Sequence, residues 1–215
     1  MRKDILRSSL AVVAFTVLLG LVYPLVMTGI AQVAFPGRAD GSLIKAGGKV
    51  TGSTLLAQAW QKPVLDAAGK PRVDGDGNPV TAPDPRYFQP RPSATGYSGS
   101  VTFFGNHGPN QRSTRDLTHQ NIEAYISMER PYVAGLAAAT VPIDAATFSA
   151  SGVDPDISEA NAAIQAHRIS AVRRLPLDRV RRLIAGHTDG RGLGVFGEPG
   201  VNTTTLNHAL DQEAR

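Results

Sequence analysis

The 215-residue sequence contains no cysteine, and between Arg7 and Arg38 it contains no charged residue. The missing cysteines exclude a disulfide scaffold, a thiolate zinc site and a cysteine nucleophile. A large excess of one charge is also missing, because 22 Lys and Arg residues stand against 18 Asp and Glu residues. The net charge of +4 argues against a nucleic-acid-binding protein, which would concentrate basic charge on one face.

The uncharged segment is most apolar from Leu10 to Ile30. At 1.5 Å per residue, a helix of this length reaches roughly 30 Å, the thickness of the hydrocarbon core of a bilayer. A buried core helix and a cleaved signal peptide are the alternatives. The apolar region of a signal peptide is shorter, about 7–15 residues, and no A-x-A cleavage site follows here. We therefore expect residues 1–9 to form a short basic head and residues 10–30 an uncleaved transmembrane helix.

Four residues within this span recur at every fourth position: Thr16, Gly20, Pro24 and Thr28. At that spacing they lie on one face of a helix, and small residues there let a second membrane helix approach closely. The alternative is that Gly and Pro are simply frequent in membrane helices. The functional interpretation predicts that this face packs against a larger membrane partner.

The basic residues around the span are Arg2, Lys3 and Arg7 before it and Arg38, Lys45 and Lys49 after it. Together with the amino terminus, the first group favours a cytoplasmic N terminus. Long domains cross the membrane largely regardless of their charge, so the second group weighs less. We predict a single-pass protein with its N terminus in the cytoplasm and its soluble domain outside.

Residues 31–215 are enough for one domain with a core, and they mix helix and strand signals. The predicted fold class is α+β, a single N-terminal transmembrane helix followed by one mixed α/β soluble domain. The segment at about 62–90 is rich in Pro and Gly and predicts an exposed loop excursion. No internal repeat is expected.

The pattern Asp74-x-Asp76-x-Asn78 resembles the opening of a calcium-binding loop. Pro79 stands where that loop needs glycine, and Pro85 stands where it needs glutamate. We therefore interpret the segment as a turn.

Four helices and two strands are predicted beyond the excursion. The helices are Leu117–Met128, one that begins near Asp156, Leu177–Ala185 and Asn207–Glu213, and the strands are Val195–Gly197 and Val201–Leu206. Asp156 and Glu159 have the spacing of a capping box, which predicts the start of the second helix. Its buried face is predicted from the apolar residues Ile157, Ala160, Ile164 and Ala171.

No self-contained catalytic constellation is present, and we predict neither catalytic residues nor a metal site. The five histidines are scattered without an i,i+4 pair, and no G-x-S-x-G motif occurs. Six arginines surround the break between the second and third helices: Arg168, Arg173, Arg174, Arg179, Arg181 and Arg182. We interpret them as a solvated charged face. A helix-turn-helix and a site for anionic lipid or phosphate are the alternatives.

Four separated blocks resemble one protein family. They are Gly20–Gln32 with Phe35-Pro36 and Gly41–Ile44; Tyr87–Ala94; Ser149–Ser158 with Gln165 and Arg168; and Gly197–Asn202 with Leu206-Asn207. In this order they are similar to the C subunit of the bacterial high-affinity potassium-importing P-type ATPase, the Kdp complex.

The resemblance implies an accessory subunit of the bacterial inner membrane. Its implied partners are a potassium-channel-like subunit, an ATP-hydrolysing P-type subunit and a small membrane subunit, with no nucleic acid. The family is described as a catalytic chaperone that raises the ATP affinity of the hydrolysing subunit. It implies no firmly bound cofactor, with ATP reached through the complex. The Asp-Lys-Thr-Gly phosphorylation motif of such pumps is absent from this chain, which is therefore expected to be non-catalytic by itself.

An extracytoplasmic domain cannot touch cytoplasmic ATP, so two interpretations stay open. If the domain faces the cytoplasm, the candidate nucleotide contacts are Ser151, Gly152, Asp154 and Gln165, beside a predicted helix N-terminus. The alternative is that this segment is only a capped helix entry. A membrane-anchored extracytoplasmic binding protein or hydrolase that acts alone is the second hypothesis for the whole chain.

Overall fold

The structure is a computed structural model that describes residues 1–101, 108 and 110–213. The chain divides into two units, Met1–Ser53 and Thr54–Arg215, each with its own internal contacts.

The first unit is a long apolar helix followed by a short hairpin. The helix comprises α1 (Arg2–Val17), a π-helical stretch at Leu18–Val22, and α2 (Tyr23–Ala34). Within the described part of the chain, Arg2–Ala34 is the one helix long and apolar enough to cross a membrane, and none of its residues is buried. Its 33 residues span about 50 Å at 1.5 Å each, more than the predicted residues 10–30. The predicted N-terminal apolar helix is confirmed.

The π-helical stretch lies directly before Pro24. Proline has no N–H, and its ring would clash with the carbonyl one turn earlier in a regular α-helix. The Tyr23 N–H bonds five residues back, to the Leu18 carbonyl, so the turn is widened where the ring needs space. The Thr28 hydroxyl donates to the Pro24 carbonyl at 2.8 Å. A Cβ placed on Gly20 would lie 4.0 Å from Thr16 Cγ2, so these two residues are neighbours on the helix surface.

After α2, the first unit continues with α3 (Pro36–Ala39) and two antiparallel strands, β1 (Leu43–Ala46) and β2 (Lys49–Ser53). The strand register shifts between Ile44 and Lys45.

The second unit mixes short strands with five helices in its described residues. In chain order these are β3 (Gln61–Pro63), β4 (Thr81–Pro83), α4 (Arg112–Glu129), α5 (Ile143–Ala146), β5 (Asp156–Ile157), α6 (Glu159–Arg173), α7 (Leu177–Gly186), β6 (Thr188–Asp189), β7 (Gly200–Asn202) and α8 (Thr203–Glu213), with a 3-10 turn at Ala138–Thr140. Strands β3 and β4 pair antiparallel, and β7 lies between β5 and β6 in an antiparallel sheet. The predicted α+β class is confirmed.

The core of the second unit lies where α6, α7 and α8 pack around β7. Its fully buried members are Phe88, Ile157, Ala162, Ala166, Ile169, Val180, Val201, Leu206 and Leu210, with Leu175, Leu177, Leu183 and Ile184 packed against them. Arg174, in the left-handed conformation at φ 57°, is the C-cap of α6, and Pro176 is the N-cap of α7.

The predicted start of α6 is wrong by three residues. Asp156 belongs to β5, where it pairs with Asn202, and the helix begins at Glu159. Ser158 is the N-cap: its hydroxyl accepts the Asn161 N–H at 3.1 Å. The same hydroxyl donates to Asp144 at 2.8 Å, which fixes the cap against α5.

The predicted buried face of α6 is also largely wrong: Ile157 is buried, but it precedes the helix, in β5. Ala160 and Ala171 are exposed, and Ile164 is only half-buried. The buried positions are one residue along the helix, and half of them are polar: Asn161, Ala162, Gln165, Ala166, Arg168 and Ile169. The apolar pattern failed because polar side chains of this helix hydrogen-bond inside the domain.

Two predicted strands are shorter than expected. Val201–Leu206 is a strand only to Asn202, because α8 begins at Thr203. Around Val195–Gly197, only Phe196 forms an isolated bridge, with Gly192. The predicted helix Leu177–Ala185 is confirmed as α7, which ends one residue later, at Gly186. The predicted helix Leu117–Met128 is confirmed as α4, which starts five residues earlier and ends one residue later. The predicted terminal helix is confirmed as α8, which starts four residues earlier.

The excursion is an ordered arm rather than a plain loop, and it contains the repeat that sequence inspection missed. Leu65–Arg72 and Val73–Val80 share the pattern apolar-Asp-x-x-Gly-x-Pro-x. In each copy the aspartate Oδ1 accepts two main-chain N–H groups, from Ala68 and Lys70 in the first and from Asp76 and Asn78 in the second. The predicted turn at Asp74 is therefore confirmed.

The arm closes on itself through the main chain. The Val64 N–H donates to the Val80 carbonyl at 2.9 Å, Arg72 to Val64 at 2.8 Å, and Val80 to Arg72 at 2.9 Å. The exposed part ends with β4: Asp84 is 2% exposed and Phe88 is fully buried, so residues 84–90 do not belong to the predicted excursion.

Candidate functional site

The segment from Asp84 to Arg91 crosses the interior of the second unit without a strand partner. Buried main-chain groups need hydrogen bonds, and here side chains supply them. Asn207 on α8 accepts the Phe88 N–H at 2.8 Å and donates to the Phe88 carbonyl at 2.9 Å. Gln165 on α6 bonds the next residue in the same way: it accepts the Gln89 N–H at 2.8 Å and donates to the Gln89 carbonyl at 3.0 Å.

Asn207 and Gln165 thus form an amide clamp on Phe88 and Gln89. Both clamp side chains are buried, at 0% and 1% exposure. The clamp joins three of the four blocks on which the resemblance depends, since Tyr87–Ala94, Gln165 and Asn207 meet in it. Its primary role is to position this segment between α6 and α8.

A buried ion pair extends the clamp to α4. Arg168 Nε donates to Glu129 Oε1 at 2.8 Å, and the two side chains are 0% and 1% exposed. The same guanidinium donates to the carbonyls of Pro85 at 2.5 Å and Tyr87 at 2.9 Å, and to Gln165 Oε1 at 2.8 Å. Burial raises the pKa of Glu129, and the charge and hydrogen bond of Arg168 offset part of that shift.

Glu129 was missed in the sequence because it is a single acidic residue among exposed ones. One signal was available: it lies seven residues after Ile122, three after Ile126 and four after Tyr125, and so continues the apolar face predicted for α4. An acidic residue on a buried face needs a cationic partner.

Three of the predicted nucleotide contacts lie on one loop. Ser151, Gly152 and Asp154 precede β5, and this loop packs on the segment that follows Gln89. The Gly152 carbonyl accepts the Ser93 hydroxyl at 2.6 Å, and Asp154 lies 3.4 Å from the Arg91 guanidinium. Gln165, the fourth, has its amide already bonded within the clamp. Nucleotide contact through these residues stays a prediction.

Two of the pockets on the described surface of the second unit are lined by clamp or sheet-edge residues. The smaller, of about 160 Å³, lies beside the clamp between Tyr97, Tyr125 and Gln165. The larger, of about 500 Å³, lies at the edge of the three-stranded sheet and is lined by Asp156, His187, Asp189 and Asn202, among others.

The larger pocket contains an unusual carboxylate. Burial and then the charges of Asp154 and Asp189 raise the pKa of Asp156, and a hydrogen bond from Asn202 offsets part of the shift. Gly200 makes room for it, since a Cβ there would lie 3.2 Å from Asp156 Cβ. Burial lowers the pKa of His187, whose Nδ1 lies 3.0 Å from the Thr205 hydroxyl. Among the described residues, no group of three or more His, Cys, Asp or Glu side chains could hold a metal ion.

The arginine-rich segment is only partly the solvated face that was predicted. Arg168 is buried, Arg173 lies 2.9 Å from Asp211, and Arg179 lies 2.5 Å from Glu213. Arg174, Arg181 and Arg182 are exposed. Half of the cluster therefore ties α6 and α7 to other elements.

We expect Arg168→Leu to lower the free energy of unfolding by about 3–5 kcal/mol, because it leaves the Glu129 carboxylate buried without its partner. The measurement is urea unfolding of the full chain in detergent, followed by the fluorescence of Trp60, the single tryptophan. Trp60 stacks on Tyr87 with ring centroids 4.6 Å apart, so it reports on the clamp. Arg181→Leu is the control, since its pair with Asp178 is exposed and contributes less than about 1 kcal/mol. Equal losses in the two variants would contradict the assignment.

Gly152→Ala should lower the free energy of unfolding by more than about 1 kcal/mol beyond the loss caused by Gly135→Ala. Both glycines have positive φ, 73° and 75°, but only at Gly152 would the new Cβ lie 2.7 Å from Thr95 Oγ1. The same urea titration measures the difference. Thr95→Ala in the Gly152→Ala background should recover part of the loss, and no recovery would show that the contact is not its cause.

Comparison with known proteins identifies the family. The model of the family "K+-transporting ATPase, c chain" matches residues 5–212. A potassium-transporting ATPase KdpC subunit from Caulobacter sp. (strain K31) is 42% identical over 200 residues, which are 92% of this chain and 87% of the relative. One from Sorangium cellulosum (strain So ce56) is 40% identical over 199 residues, 91% and 90% of the two chains. One from Bradyrhizobium diazoefficiens is 37% identical over 214 residues, 100% and 99% of the two chains.

These matches confirm the resemblance of the four blocks, and they extend over both units described above. They do not favour a binding protein or hydrolase that acts alone. The chain therefore belongs to the KdpC family and is an accessory subunit of the potassium-transporting Kdp ATPase complex.

Proposed function

We propose that this chain is a non-catalytic assembly and regulatory subunit that binds the other Kdp subunits through its membrane helix. The observation that carries the proposal is the helix Arg2–Ala34, which is long and apolar and has no buried residue in the described part of the chain. In the proposed complex the partners are a potassium-channel-like subunit, an ATP-hydrolysing subunit and a small membrane subunit.

The packing face proposed for this helix is Thr16, Gly20, Pro24 and Thr28. Two features support it. Thr16 lies next to the small surface of Gly20. The Thr28 hydroxyl donates to the Pro24 carbonyl, which leaves the Thr28 methyl group to pack against another helix. Contacts of this kind drive helix association in lipid, where burial of apolar surface contributes little.

We further propose that the domain is extracytoplasmic, on the basis of the basic head. In that orientation the domain acts on the pump from the ion-entrance side, by stabilising one transport conformation through the subunit interface. The bonded state of the Gln165 amide agrees with this choice, because a nucleotide would have to displace existing hydrogen bonds. A rise in the ATP affinity of the hydrolysing subunit then arises by coupling rather than by direct contact.

Gly20→Leu should reduce the recovery of the other Kdp subunits with the tagged chain in mild detergent by about tenfold, because the new side chain separates the helices. Gly29→Leu is the matched control, since Gly29 lies outside the predicted face and has no heavy atom within 4 Å of a Cβ built there. Quantitative mass spectrometry of the purified complex measures the recovery. Equal recovery for the two variants would contradict the packing face, and a wild-type chain that purifies alone would contradict the proposed function.

Orientation can be read from single cysteines, because the chain has none of its own. One variant is Ala67→Cys, on an exposed turn of the arm, and the other is Ser8→Cys, in the basic head. With the outer membrane permeabilised, a membrane-impermeant maleimide should label position 67 in whole cells and position 8 only after lysis. The reverse pattern would place the domain in the cytoplasm and make Ser151, Gly152 and Asp154 the first residues to test for nucleotide crosslinking.

A further inference from the structure

The larger pocket, at the edge of the three-stranded sheet, has the size of a small-molecule site. Its volume of about 500 Å³ lies within the roughly 300–1,000 Å³ that ligand pockets span. Two carboxylates line it, Asp156 from β5 and Asp189 from β6, and the described residues around it include no lysine or arginine. Burial lowers the pKa of His187, the one basic side chain among them. The pocket is therefore negatively charged at neutral pH.

The Asp156 carboxylate stands in this pocket at a cost to the fold. Its Oδ1 atom is buried, and no described residue donates a hydrogen bond to that atom. Asn202, which stabilises the charged form in part, also donates to the Thr54 carbonyl at 2.8 Å. A buried acceptor without a donor has lost its hydration and gained nothing in return. The folded chain alone therefore gives no reason for a carboxylate at this position.

The surroundings of Asp156 add to that cost. Burial and then the charges of Asp154 and Asp189 raise the pKa of Asp156, so its ionised form is disfavoured here. Gly200 on the neighbouring strand leaves the space that the side chain needs, because a Cβ there would lie 3.2 Å from Asp156 Cβ. Groups that are unfavourable for the fold concentrate at functional sites. A bound cation would remove the repulsion among these carboxylates.

The rest of the lining indicates the class of cation. Among the described residues, no group of three or more His, Cys, Asp or Glu side chains could hold a metal ion. An ammonium or guanidinium group needs no such shell, because it donates hydrogen bonds to one or two carboxylates. The apolar side chains of Leu55 and Pro155 also line the pocket, and they can contact aliphatic carbons. This combination of acidic and apolar groups fits an organic cation.

We propose that this pocket binds a small organic cation through an ammonium or guanidinium group. Asp156 and Asp189 accept its hydrogen bonds, and Leu55 and Pro155 pack against its carbon chain. The group can belong to a free amine or to a lysine or arginine side chain of another Kdp subunit. The inference goes beyond the proposed function, because it concerns the second unit alone and holds on either side of the membrane.

The first test is calorimetric titration of the full chain in detergent with putrescine and with agmatine. Putrescine has an ammonium group at each end of a four-carbon chain, and agmatine has a guanidinium group at one end. At an ionic strength of about 0.15 M, which screens charges more than about 8 Å apart, one of them should bind at one site with a Kd of about 1 mM or tighter. Butanediol, with hydroxyls in place of the ammonium groups of putrescine, should not bind. No binding of either amine, or equal binding of butanediol, overturns the proposal.

The second test is Asp156→Asn, which keeps the shape of the side chain and removes its charge. The Kd for the amine should rise about tenfold or more, because a charge-assisted hydrogen bond is lost. The urea midpoint of the chain should not fall, since the repulsion among the carboxylates is relieved. Asp189→Asn, at an exposed position of β6, should also weaken binding. Asp116→Asn on α4 is the control: it removes one charge from a side chain that is 63% exposed and should change neither quantity.

Two results of these substitutions would overturn the proposal. One is unchanged amine binding in both Asp156→Asn and Asp189→Asn. The other is a lower urea midpoint for Asp156→Asn with amine binding retained, which would show that this carboxylate serves the fold.

The assembled complex distinguishes the two sources of the cation. If the complex binds the amine as the free chain does, the ligand is a free amine. If the free chain binds it and the complex does not, a lysine or arginine of another subunit fills the pocket, and Asp156→Asn should then lower the recovery of that subunit. A wild-type chain that recovers no partner overturns the proposed function and leaves this inference, which the free chain tests.

Discussion

The second unit depends on one buried contact between opposite charges, Arg168 with Glu129. Taking either charge out of water alone would cost several kcal/mol, so neither residue is tolerated there without the other. The guanidinium offsets that cost by directing its remaining N–H groups to the carbonyls of Pro85 and Tyr87 and to Gln165. One side chain on α6 therefore fixes α4 on one side and the Asp84–Arg91 segment on the other.

This arrangement explains why a unit of mixed structure has such short strands. In a larger sheet, the interior segment would satisfy its N–H and C=O groups by pairing with a neighbouring strand. Here Asn207 and Gln165 do so from two helices, one residue each, and Phe88 is left to fill the apolar core. Each side-chain amide both donates and accepts, so the clamp fixes Phe88 and Gln89 between α8 and α6.

The same polar interior decides how far the sequence could be interpreted. The membrane helix was predictable from its long uncharged apolar run, and α4 and α7 from their apolar periodicity. The buried face of α6 was not, since Asn161, Gln165 and Arg168 look like surface residues until their partners are known. Ser158 was overlooked as a cap because Asp156 and Glu159 matched a capping box, and only the pairing of Asp156 with Asn202 places Asp156 in a strand. The family was identifiable from its four blocks, and three of them contain the clamp segment or a clamp residue, although the sequence does not indicate which groups these residues bond. Val195–Gly197 was predicted as a strand, because nothing local indicates that Val195 and Phe196 are exposed.

The arm formed by the two eight-residue repeats has a further consequence for how this region can change in length. Val64, Arg72 and Val80 occupy equivalent positions eight residues apart, and each donates to another member of the set, so the three bonds form a closed ring. Deleting one eight-residue repeat would leave two of these residues, which can exchange both N–H···O=C bonds as an ordinary antiparallel pair does. We therefore expect the arm to change length by whole repeats, because each lobe is closed independently by its own aspartate, Asp66 or Asp74.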